Sequence, residues 1–140
     1  MPESSPKPLA RKLGIGPGDL VALLAAPGGF DAVLGALPEG ATTRGSLDGG
    51  GPFDVVLCFT TLRAELAEAL RTVRPVLTPA GGLWIAWPKR ASGIPTEVTD
   101  DVVRELALPT GLVDNKVCAI DATWTALRLV VRRELRANTQ

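Results

Sequence analysis

Three largely apolar runs mark the chain at residues 20–26, 53–59 and 83–87, the second interrupted only by Asp54, and each is bounded by Gly, Pro, Asp or Thr. Runs this short and this continuous fit strands buried on both faces of a parallel sheet. Between them the apolar spacing turns helical. Phe30, Val33, Leu34 and Leu37 recur at i, i+3, i+4 and i+7 and predict one amphipathic helix, ended by Pro38, Glu39 and Gly40. Leu62, Leu66, Ala69, Leu70 and Val73 predict a second, with Thr60 and Thr61 as candidate N-caps. A third begins at the cap Thr99, with Asp100 and Asp101 against its positive end and Val98 packing back onto Val103, and it stops at Leu108 and Pro109. Residues 41–47 read as a weak, polar strand near a sheet edge. Residues 48–52 are a glycine loop, 75–82 a turn-rich connection and 89–97 a polar loop. Residues 112–120 and 124–133, joined by Asp121, Ala122 and Thr123, spell an antiparallel hairpin.

Strands alternating with helices imply an α/β fold, with a mostly parallel sheet, right-handed crossovers and helices on both faces. The predicted sheet has six strands in the spatial order 2-1-3-4-6-5. Residues 83–87 are central, and only the final strand runs antiparallel. The 140 residues suit a single domain. Residues 1–12 hold three prolines and two serines without periodicity and read as a disordered tail. Residues 13–136 then form the domain and 137–140 a second tail.

Composition narrows the chemistry. Fifteen basic residues balance fifteen acidic ones, so no net charge draws the chain to nucleic acid or to an anionic membrane. The chain has no histidine, which removes Ser-His-Asp and Cys-His nucleophile activation and the usual zinc sites. Cys58 and Cys118 each lie in an apolar run and read as buried, reduced thiols not bonded to each other. The opening residues lack a charged stretch followed by an apolar core. The longest apolar stretch is far short of the ~20 residues that span a bilayer. A cytoplasmic location is the expectation.

Three segments resemble the class I S-adenosylmethionine-dependent methyltransferases. Leu13-Gly14-Ile15-Gly16-Pro17-Gly18-Asp19-Leu20-Val21 is similar to the entry to their first strand. Phe53-Asp54-Val55-Val56-Leu57 resembles their fourth strand, and Leu77-Thr78-Pro79-Ala80-Gly81-Gly82-Leu83-Trp84-Ile85 the run into their fifth. The resemblance implies a single Rossmann-like three-layer domain closed by a hairpin. A narrower resemblance covers almost everything after the tail. Trp87-Pro88-Lys89-Arg90-Ala91-Ser92-Gly93-Ile94-Pro95-Thr96, Asp101-Val102-Val103-Arg104-Glu105 and Gly111-Leu112-Val113-Asp114-Asn115-Lys116-Val117-Cys118 are similar to a family of small bacterial proteins grouped as a domain of unknown function. It implies the fold and no activity.

The departures from the methyltransferase pattern concern the cofactor. The acidic position of the first strand falls on Leu23. The three loop glycines fall on Ala25, Pro27 and Gly29, with Gly28 beside the last. A Cβ or a proline ring hinders the backbone approach that a cofactor needs there. The nearest carboxylate to the end of the second strand is Asp48, and the family's third strand is missing between Leu47 and Phe53.

In an open α/β sheet, ligands sit beyond the carboxyl ends of the strands. The loops expected there carry Gly28 and Gly29, Thr60 and Thr61, and Trp87, Lys89 and Arg90. With two helix N-termini facing in, these are the candidate binding residues for a small anion or nucleotide phosphate. The plainer alternative is a tight glycine turn beside solvated cations. Trp84 and Trp87 point to opposite faces, and Trp87 is a candidate pocket floor. Arg128, Arg132, Arg133 and Arg136 read as a solvated basic edge that discourages strand pairing. No catalytic or metal-binding residue is assigned. Three functional readings follow. The expected one is a non-catalytic binding or regulatory domain without S-adenosylmethionine. The others are a methyltransferase with an atypical cofactor loop and a protein-interaction module, dimeric through its hairpin edge.

Overall fold

The computed structural model describes residues 8–136. Six strands form one sheet: β1 (Leu20–Leu24), β2 (Thr42–Arg44), β3 (Phe53–Phe59), β4 (Leu77–Pro88), β5 (Leu112–Ala119) and β6 (Trp124–Val131). Their spatial order is β2-β1-β3-β4-β6-β5. The first four are mutually parallel, and β6 runs antiparallel to both its neighbours. The order and the single reversed strand are those that the apolar runs imply.

Strand alternation divides the core in two. Val56, Cys58, Leu83, Ile85, Leu127 and Leu129 face α3 (Arg63–Val73) and α4 (Asp100–Ala107). Val55, Leu57, Phe59, Trp84, Ala86 and Ala126 face α1 (Leu9–Lys12) and α2 (Phe30–Leu34). β3 and β4 are therefore buried on both sides, which is why their sequences carry no polar alternation. Trp84 is fully buried, and its indole N–H donates to the Leu13 carbonyl at 2.9 Å, tying the segment before β1 to the central strand. Cys58 and Cys118 are buried, free thiols that pack into opposite cores.

Four readings of the sequence need correction. Residues 9–12 are not tail: they form α1, with Leu9, Ala10 and Leu13 buried. The apolar pair at i, i+4 anchors this single turn despite its proline-rich surroundings. Residues 1–7 and 137–140 lie outside the described residues. The first long helix is cut short, because the chain turns at Gly35 (φ +80°) and leaves Val33 exposed. β4 begins at Leu77, inside the expected turn, and the bulge between Leu77 and Gly82 absorbs Pro79 and Gly81. The basic stripe is not an edge, since Arg128 sits on the interior strand β6 and the edge is β5. A short α5 (Arg133–Arg136) follows β6.

Candidate functional site

The carboxyl ends of β1, β3 and β4 open on one side of the sheet, where Leu24 lies beside Cys58 and Phe59 beside Ala86. The loop after β1 turns at Ala25, whose φ of +59° is the only positive value at a non-glycine among the described residues. The resemblance to methyltransferases assigns their first loop glycine to this position. The left-handed region costs an alanine about 1–2 kcal/mol, so this conformation is imposed by the fold. Gly29 (φ +80°) then caps α2, and a Cβ added at Gly28 or Gly29 would meet nothing within 4 Å. The glycine loop faces open space.

Thr60 is buried, but its role differs from the expected helix cap. Its hydroxyl accepts from the Leu62 N–H at 3.2 Å and lies 3.0 Å from the Glu65 carboxylate. The Thr61 carbonyl accepts from the Glu97 N–H at 2.8 Å, and the Glu97 carboxylate in turn accepts from the Arg63 N–H at 2.8 Å. The first turn of α3 is therefore met by a carboxylate of this chain, from a loop 34 residues away. The helix end that the sequence offers to an anion already holds one. The other, α2, is only five residues long.

Beside these loops lies a cleft of about 550 Å³ between the end of β4 and the start of α4. Trp87, half-buried, and Arg90 line it, together with Thr96, Thr99, Asp100 and Asp101. Thr99 caps α4 by accepting from Val102 N–H at 3.2 Å, as its sequence position implies. Asp100 and Asp101 both pair with Arg104, at 3.3 and 3.4 Å. The Arg104 guanidinium is shifted further toward its charged form, first by its hydrogen bond to Asp114 and then by the nearby carboxylates. Of the seven candidate residues, only Trp87 and Arg90 line this cleft. Gly28, Gly29, Thr60, Thr61 and Lys89 do not. The Lys89 backbone is fixed, its N–H donating to Thr123 O at 2.7 Å.

On the opposite face, three aromatic rings join the same strand ends. Phe59 meets Phe30 and Trp124 edge-on, each at 5.0 Å. These edge-on contacts pack the strand ends with apolar surface. Sequence reasoning missed Ala25 and Glu97 as shaping residues. Ala25 was detectable, because the resemblance to methyltransferases assigns a glycine to its position. Glu97 carries no local signal.

Solved structures share this architecture. The chain is similar to an S-adenosylmethionine-dependent methyltransferase from Aquifex aeolicus, at 14% identity over 86% of this chain and 87% of that one, with a TM-score of 0.61. It is similar to the ribosomal protein L11 methylase of Lactobacillus delbrueckii subsp. bulgaricus, at 12% identity over 88% and 74% of the two chains (TM-score 0.59). Fibrillarin of Aeropyrum pernix, in complex with natively bound S-adenosylmethionine, aligns at 15% identity over 87% and 73% (TM-score 0.58). At these identities the likeness is one of fold, that of the class I, Rossmann-like methyltransferases. No protein-family model matches the sequence, and no curated protein does.

Proposed function

We propose, starting from a fold that is that of class I methyltransferases, that this chain is an S-adenosylmethionine-dependent methyltransferase with a reduced cofactor site. The observation that carries the reading is the loop after β1. It keeps a left-handed turn at Ala25 even without the glycine that makes such a turn easy, and it leaves Gly28 and Gly29 facing open space. Strain retained at a loop that borders a crevice is a mark of ligand sites.

The fit to the cofactor is uneven. The backbone suits it, because nothing of the protein occupies the space before Gly28 and Gly29. The polar partners are fewer. Leu23 is buried where the family has a carboxylate, and Pro27 offers no N–H. Asp48 lies exposed in the glycine loop. The loop 25–29 and the Thr60 and Thr61 backbone would hold the cofactor, which when bound supplies an electrophilic methyl group. The acceptor would enter the cleft floored by Trp87, whose indole is the one large flat surface there. With these anchors missing, binding is expected on the order of 0.1 mM, about −5.5 kcal/mol.

A non-catalytic domain that kept the fold is the second reading, favoured by Leu23 and Pro27. Calorimetric titration with S-adenosylmethionine and its demethylated product separates the two. Gly28→Val adds bulk where the fold has room for it but a ligand would not, so saturable binding in the wild type should vanish in this variant with folding intact. Binding that survives Gly28→Val sinks the site, and no binding at millimolar cofactor leaves the second reading.

A further inference from the structure

The sequence directs an anion to the strand ends, but the structure concentrates cations elsewhere. Leu9, Ala10 and Leu13 turn inward from α1 and leave Arg11 and Lys12 exposed beside the hairpin. On β5, Asp114 and Lys116 would share a face if the strand were regular, two residues apart. A bulge between them breaks the alternation. Asp114 is opposite Leu129 and pairs with Arg104 of α4 at 3.0 Å, whereas Lys116 is opposite Arg128, on the face of Trp84 and Ala126. The bulge thus sends the acid to one side of the sheet and the base to the other, which is one of the uses of such irregularities.

Two adjoining clefts result. One, of about 340 Å³, is lined by Arg11, Lys12 and Lys116. The other, of about 100 Å³, is lined by Lys12, Lys116 and Arg128 over the edge of Trp84. No carboxylate lines either cleft. Among the described residues, none pairs with Arg11, Lys12 or Lys116. Burial raises the Cys118 thiol pKa, and the fields of Lys12 and Lys116 pull against it, so both ammonium groups act at this spot. The like charges of Arg11 and Lys12 on α1 and of Lys116 on β5 repel one another, and a counter-charge placed between them relieves that cost.

We propose that this α1–β5–β6 cleft binds a small phosphate-bearing anion of about pyrophosphate size. Lysine ammonium groups supply point charges and Arg11 a planar fork, the pairing that suits phosphate oxygens. A small ligand suits the site better than a nucleic acid strand. The cations are confined to two joined clefts, and the chain has no net charge to draw a polyanion. This inference is independent of the cofactor site.

The test is titration of the full chain with inorganic pyrophosphate at low ionic strength, read by calorimetry and by backbone amide shifts. Wild-type protein should bind, with the largest shifts at Arg11, Lys12 and Lys116. Lys12→Ala with Lys116→Ala, both exposed positions, should weaken binding roughly tenfold per lysine. Lys12→Arg with Lys116→Arg should retain it, as should Lys89→Ala with Arg90→Ala, which line neither cleft. Absence of binding in the wild type, or unchanged binding in the double-alanine variant, overturns the assignment. Tighter binding of a short oligodeoxynucleotide than of pyrophosphate does so too.

Discussion

Replacing Ala25 by glycine should stabilise this protein, the reverse of what an alanine-to-glycine change does elsewhere. The side chain at Ala25 is exposed, so removing its methyl group forfeits no packing. Its φ of +59° puts it in the left-handed region, where a Cβ costs about 1–2 kcal/mol and glycine nothing. Glycine's greater freedom in the unfolded chain subtracts roughly 0.5–1 kcal/mol. The difference favours glycine by about 0.5–1 kcal/mol. With a urea slope of roughly 1–3 kcal/mol/M, the unfolding midpoint should rise by about 0.2–1 M at unchanged slope. The matched control is Ala36→Gly, exposed and outside helix and strand, whose midpoint should not rise. A midpoint for Ala25→Gly that falls, or that matches the control, would show that the loop does not hold a left-handed residue in solution. The strained turn proposed to border the cofactor would then not exist.

Two further outcomes follow from the same geometry. Glu97→Ala should cost about 0.5–2 kcal/mol in urea unfolding, because the Arg63 N–H at the start of α3 loses its partner; a change within a few tenths would show that water replaces the carboxylate. Burial, helped by the Glu65 carboxylate, pushes the Cys58 thiol from 9.0 up to about 11, so the folded chain holds that proton more tightly than the unfolded one. The resulting stability is complete below pH 9 and is lost as pH rises through 11, about 2–3 kcal/mol in all. The loss should be missing from the stability–pH curve of Cys58→Ala; parallel curves for the two proteins would refute it.

The parts of this fold legible in sequence are those fixed by burial on both faces. Val55 to Phe59 and Leu83 to Trp87 are continuous because helices cover both sides, and that continuity is enough to place them at the centre of a parallel sheet. The hairpin was legible through Asp121, whose carboxylate accepts from the Thr123 and Trp124 N–H groups at 2.9 and 2.8 Å and so builds the turn from local chemistry. Local rules fail where a segment is fixed by distant partners. α1 exists because Leu13 and its neighbours reach the central strand, through a hydrogen bond spanning 71 residues. β4 starts early because Leu77 pairs with Phe53, although Pro79 and Gly81 argue for a loop.

The same division explains why the crevice is only half readable. Which loops meet at the strand ends follows from strand order, and strand order follows from apolar runs. What charge those loops present does not, because it is set by side chains arriving from other segments. Glu97 reaches across to α3, and Asp100 and Asp101 bring two more carboxylates to the Trp87 cleft, where Arg90 lies with them. At the hairpin the sequence places Asp114 and Lys116 two apart, a spacing that suggests mutual neutralisation on one face. A single extra residue at the bulge separates them and turns a neutral sequence segment into a cationic surface. Each local charge count was correct. What such counts do not contain is a carboxylate that reaches α3 from 34 residues away, and one residue out of register on β5.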